Sequence, residues 1–163
     1  MKPEIYFLRY AFPCAESLLL RKEITKKEFN ELENAVLRNK IIPKEKLERI
    51  FHRAIEPIKE FAEKKDYWKT DIIRNYFLKR HNECVENNRK GFEHLHGFMK
   101  DLCKVHVGKI IDIKKVQNKI FYVVEYKAEN RTNRKRIVDS TLLPDLKTGD
   151  KVTIHYAYAV EKL

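Results

Sequence analysis

The feature that most constrains this chain is a change in the period of its hydrophobic residues near residue 100. Before it, apolar residues return every three or four positions, the spacing of helices that bury one stripe. Leu47, Ile50, Phe51, Ala54, Ile55, Ile58, Phe61 and Ala62 keep that rhythm across residues 46–63. After residue 102 the period becomes two. Val105 and Val107 alternate with polar neighbours, and Ile110, Ile111 and Ile113 extend the run. In residues 151–160, Val152, Ile154, Tyr156, Tyr158 and Val160 share one face, and Thr153, His155, Ala157 and Ala159 the other. Four or five short strands in about sixty residues bury their faces and edges most simply by closing into a small barrel. The expected fold is therefore α+β in two domains, an all-α helical bundle over residues 1–100 and a small β-barrel over 103–163.

Local signals refine both halves. Thr25 and Glu28 have capping-box spacing and open a helix whose stripe is Phe29, Leu32, Val36 and Leu37. Pro43 suits a first helical turn, whereas Pro57 is expected to kink or divide the helix over 46–63. Residues 67–88 read as a further helix with Trp68, Ile72, Ile73, Tyr76, Phe77 and Cys84 facing inward. Residues 3–21 read as a helix interrupted at Pro13, and 92–102 as one more short helix. Gln117-Asn118 marks a hairpin turn before the β-rich stretch 119–126. Another strand is expected over 136–143, and then Pro144-Asp145 and Gly149-Asp150 punctuate the chain.

Composition narrows the function classes. The 35 Lys+Arg exceed the 24 Asp+Glu, a formal charge of +11 that attracts a polyanion or an acidic protein face, or serves solubility. Three distant cysteines, Cys14, Cys84 and Cys103, do not form the even framework of a secreted disulfide scaffold. No apolar run approaches the roughly 20 residues that cross a bilayer, and Arg9, Pro13 and Glu16 break up the N-terminus. A cytoplasmic protein without a membrane partner is expected. Gly-rich phosphate loops, HExxH and a Ser–His–Asp arrangement are all missing, so the chain does not read as an enzyme.

Four short motifs in the second half occur in a telling order. The first is Cys103-Lys-Val-His-Val-Gly108-Lys109-Ile110, feeding the first strand. A short hairpin follows, then Arg136-Ile-Val-Asp-Ser-Thr-Leu142-Leu143-Pro144-Asp145, then the Gly149-Asp150 turn, and last the stretch from Val152 through His155 to Leu163. This segment resembles the hydrogenase-maturation chaperones of the HypC/HupF type over residues 103–163. The resemblance implies an OB-like barrel acting as a scaffold rather than an enzyme. It also implies a protein partner, a hydrogenase-maturation factor or hydrogenase subunit, and transient iron on its way to a nickel–iron centre, with no tightly bound cofactor. Carried over residue by residue, the family's iron-holding thiolate is Cys103 and its strand histidine is His155. A thiolate with an imidazole suits low-spin iron bearing π-acceptor ligands. The sequence departs from the family in three places. Cys103 is internal rather than next to an initiator methionine, Val107 replaces the proline before the glycine, and Ala157 replaces the glycine of the last motif.

Further donors and charges lie outside that pair. Cys103 and His106 have Cys-x-x-His spacing, which makes His106 a third candidate ligand, although alternation with Val105 and Val107 turns it outward. His81, Cys84, His94 and His96 offer donors within sixteen positions, against which Cys84 continues an apolar stripe. Arg131, Arg134, Lys135 and Arg136 form a basic hairpin beside Tyr122. On an OB-like barrel, basic loops with aromatic side chains can hold single-stranded nucleic acid, which is the alternative function.

Overall fold

The protein is described by a computed structural model covering residues 1–63, 65–89, 91–128 and 131–163. The chain divides into two compact units, Met1–His96 and Gly97–Leu163.

The first unit is helical. Its elements are α1 (Pro3–Ala11), a 3-10 turn (Phe12–Cys14), α2 (Ala15–Leu20), α3 (Lys26–Leu37), α4 (Lys44–Ile50) and α5 (His52–Ala62). They are followed by α6 (Thr70–Asn75), a π-helical segment (Tyr76–Arg80) and α7 (His81–Glu86). The capping box at the start of α3 is formed on both sides: the Glu28 amide donates to the Thr25 hydroxyl oxygen, and the Thr25 amide donates to the Glu28 carboxylate at 2.8 Å. The break expected at Pro57 falls instead at Phe51, whose ψ of 34° leaves the helical region, and Pro57 lies buried within α5. The interior is aromatic. Phe7 meets Phe51, Trp68 and Phe77, and Tyr10 stacks on Phe77 with ring centroids 5.0 Å apart. The Trp68 indole N–H, which burial would otherwise orphan, donates to Glu4 at 3.0 Å.

The second unit opens with α8 (Phe98–Cys103) and continues with five strands: β1 (His106–Val116), β2 (Lys119–Lys127), β3 (Asn133–Asp139), β4 (Lys151–His155) and β5 (Tyr158–Lys162). They close into a barrel in the order β1-β2-β3-β5-β4, with β4 pairing back onto β1. Among the described residues, all pairs are antiparallel except β3 with β5. Ile110, Tyr122, Val124, Val138, Val152, Ile154 and Ala159 fill the interior. The Tyr122 hydroxyl donates to the Leu143 carbonyl at 2.8 Å and accepts from the Leu146 amide at 3.2 Å, so the segment after β3 plugs one end of the barrel.

Two strand expectations are corrected. The strand expected over 136–143 stops at Asp139, because Asp139 turns the chain by accepting the Thr141 amide at 2.7 Å. The strand expected over 151–160 is two strands, joined at Tyr156, whose φ of +50° cannot continue an extended chain. Tyr156 and Tyr158 therefore do not share the interior face with Val152 and Ile154. Ala159 takes that place opposite Ile154.

Candidate metal centre

Cys103 ends α8 and His155 ends β4, and both are buried. The Cys103 Sγ and a ring nitrogen of His155 lie within 4.8 Å of each other. A tetrahedral metal with a thiolate at about 2.3 Å and an imidazole at about 2.0 Å holds those donors about 3.5 Å apart. The pair thus fits a shared metal after a small side-chain adjustment. Strand geometry explains the direction of His155. Its neighbour Ile154 is opposite His106 in the β1–β4 ladder and points into the barrel, so His155 points out of the interior. The backbone supports the approach directly, because the Tyr156 amide donates to the Leu102 carbonyl at 2.9 Å. These two residues adjoin His155 and Cys103.

A polar network holds α8 to β2 and β3. Its hub is Asp101, two residues before Cys103. The Asp101 carboxylate accepts from the Tyr126 hydroxyl at 2.7 Å and from Arg136 Nη2 at 2.9 Å, and Arg134 Nη1 lies 3.3 Å away. Burial works against its charge, but the Tyr126 hydroxyl, then His106 and the guanidinium groups of Arg136 and Arg134, outweigh burial and hold the carboxyl below its usual range. Arg136 Nη2 also reaches the Asp101 carbonyl and the Tyr126 oxygen, and Nη1 donates to the Tyr156 carbonyl at 3.2 Å. Its guanidinium lies 4.9 Å from the centre of the Tyr126 ring. Burial pushes the Tyr126 phenol upward, and the neighbouring Asp101 charge adds to the effect.

Several site expectations change with this arrangement. His106 is not turned outward: it is buried and Val107 is exposed, because Gly108 and Ile110 carry the inward alternation that His106 begins. Burial lowers the pKa of its imidazole against the pull of Asp101. Its Nε2 faces two acceptors, the Asp101 carbonyl at 3.0 Å and carboxylate at 3.2 Å, and so carries the hydrogen. Since His106 and His155 lie on opposite faces of the sheet, the three-ligand site of Cys103, His106 and His155 does not assemble.

The basic hairpin is also divided. Arg131, Arg134 and Lys135 are exposed, but Arg136 shares the inward face with Val138 and is engaged by Asp101. Tyr122 is in the barrel core and presents no stacking surface. Exposed lysines occur instead on the β1–β2 hairpin, where Lys114, Lys115 and Lys119 surround Ile113, Val116 and Ile120. In the helical unit, His94 bonds Arg21 at 3.1 Å, and His81 packs among the rings of Tyr76, Phe77 and Phe92. Burial raises the pKa of the Cys84 thiol, as suits a core residue.

Asp101 and Tyr126 are the residues that sequence reasoning missed. The available signal was an acid inside a short apolar helix, and an aromatic two positions beyond Val124 on the inward face.

No family model, curated protein or solved structure matches the chain.

Proposed function

We propose that the barrel unit is an OB-like, HypC-like accessory module, and that the protein serves as a scaffold in assembling a nickel–iron hydrogenase metallocentre. In this reading Cys103 supplies a thiolate and His155 an imidazole to an iron intermediate, which is cargo rather than a resident cofactor. The observation that carries it is the approach of the Cys103 Sγ and the His155 ring to within 4.8 Å. The strand order β1-β2-β3-β5-β4, with its one parallel pair, supports the OB-like description. The four ordered motifs over residues 103–163 support the kinship. No nucleophile–base arrangement enters the reading, and the role is that of a binding protein.

Anaerobic purification of the full chain with hydrogenase-maturation proteins, followed by infrared spectroscopy, tests it. The expected result is co-purification with bands of iron-bound cyanide and carbon monoxide, both lost in Cys103→Ala. Finding neither partner nor bands, with Cys103→Ala indistinguishable from the native chain, would refute the proposal.

A second reading is favoured by the exposed cations Arg131, Lys135, Lys114, Lys115 and Lys119. It makes the barrel a nucleic-acid-binding module, now without Tyr122 and Arg136 at its surface. Binding to single strands should then weaken steeply with salt. Salt-insensitive or undetectable binding removes this reading.

A further inference from the structure

We infer that Arg136 is the positioning residue for the Cys103–His155 pair, an inference that rests on that pair being the donor set proposed above. The two donors belong to segments far apart in sequence, the end of α8 and the end of β4. Arg136 bonds to both segments at once. Nη1 donates to the Tyr156 carbonyl at 3.2 Å, one residue after His155. Nη2 donates to the Asp101 carbonyl at 3.0 Å and carboxylate at 2.9 Å, two residues before Cys103. The Tyr156–Leu102 backbone bond lies between these contacts and closes the same joint.

The choice of arginine fits this role. A planar guanidinium presents several donors at fixed angles, whereas a lysine ammonium cannot span two segments with the same geometry. A buried ion pair is a poor device for stability alone, because desolvation offsets its attraction. Such a pair is better suited to fixing a register, and here the register joins two metal donors. Tyr126 completes the seat: its ring supports the guanidinium, and its hydroxyl donates to Asp101 while accepting from Arg136.

The test compares the full-length native chain with Arg136→Lys, Arg136→Met and the paired change Asp101→Leu with Arg136→Met. The paired change removes both charges together, so the barrel can remain folded without the fork. The first readout is hydrogen exchange of the Tyr156 amide, which needs no metal. It should quicken about tenfold or more in Arg136→Met and in the paired variant, while the Ile110 and Val152 amides keep their protection. The second readout is cobalt(II) titration, followed by the thiolate-to-cobalt absorption band. Affinity should fall about tenfold in Arg136→Lys and in the paired variant, with a changed band shape.

A folded paired variant that protects Tyr156 and binds cobalt as the native chain does would overturn the inference. A native chain with no cobalt band dependent on Cys103 would instead refute the donor pair itself. The exchange of Tyr156 still decides whether Arg136 braces the joint.

Discussion

Gly108 lies in the middle of the barrel wall, and its replacement by alanine should destabilise that unit. Gly108 pairs with Tyr126 on one side and Val152 on the other. A Cβ built there would lie 2.5 Å from Val124 Cγ1, 2.7 Å from the Glu125 carbonyl oxygen and 3.2 Å from Tyr126 Cβ. Ordinary contact begins near 3.4 Å, so the methyl is about 0.7 Å too close to a backbone atom that no rotamer change can move. With ladders on both sides, β1 cannot slide away without disturbing its neighbours. Overpacking of this kind costs about 1–3 kcal/mol, and the site falls at the upper end. The lower chain entropy of alanine returns about 0.5–1 kcal/mol, leaving a loss of about 2 kcal/mol.

Urea unfolding of the full chain, read by NMR at Ile110 and Val138, measures the barrel directly. The only tryptophan, Trp68, belongs to the helical unit, so its fluorescence reports that unit separately. With a slope of about 1 kcal/mol per molar urea for a unit of this size, the barrel midpoint should fall by about 2 M. A fall of less than about 0.3 M would refute the steric account of Gly108.

Three further outcomes concern other parts of the molecule. The Glu28 carboxyl is lowered to about 2 by the Thr25 amide and by Arg49, so its contribution is present above the ordinary value of 4.5 and is lost as pH falls toward 2. Glu28→Gln should therefore lower the urea midpoint of the helical unit at pH 7, and the gap should close by pH 2; a gap that persists would contradict the linkage. Among the three cysteines, only Cys14 is partly exposed, and burial raises the pKa of the Cys84 thiol. Ellman's reagent should show one fast thiol in the native chain, abolished in Cys14→Ala; loss of the fast phase in Cys84→Ala instead would contradict the burial. Tyr122→Phe removes a hydroxyl that serves the Leu143 carbonyl and the Leu146 amide, and should cost the barrel about 1–2 kcal/mol in thermal unfolding. An unchanged melting temperature would show that the plug after β3 holds without it.

The sequence made the change of period, the capping box at Thr25 and the turn at Gln117 legible because each depends on neighbouring residues. Gln117 takes a positive φ of +54° at the expected hairpin turn. What it concealed depends on distant partners. Arg136 faces inward because Asp101, thirty-five positions earlier, supplies its counter-charge, and nothing near Arg136 announces that partner. Alternation gave one clue, since Arg136 and Val138 must share a face, but a run of cations suggested a solvated loop. The same partner accounts for His106, which finds its acceptor in Asp101 rather than in solvent. The turn at Tyr156 was hidden because neither Tyr156 nor Ala157 is a usual turn residue. Likewise, the π-helical segment, in which the His81 amide bonds the Tyr76 carbonyl five residues back, leaves an apolar stripe that reads as ordinary helix. Within the candidate site, the motif order singled out Cys103 and His155, which the fold brings within 4.8 Å, whereas the Asp101–Arg136 brace required the folded barrel.

In the function proposed for this barrel, Cys103 and His155 bind one metal together. X-ray absorption at the zinc edge of the stoichiometrically loaded full chain tests it most directly. The expected spectrum contains one sulfur at about 2.3 Å and nitrogen or oxygen scatterers at about 2.0–2.1 Å. Cys103→Ser should remove the sulfur shell, and His155→Ala the imidazole multiple scattering. A spectrum without sulfur, or one unchanged by both substitutions, would contradict the claim.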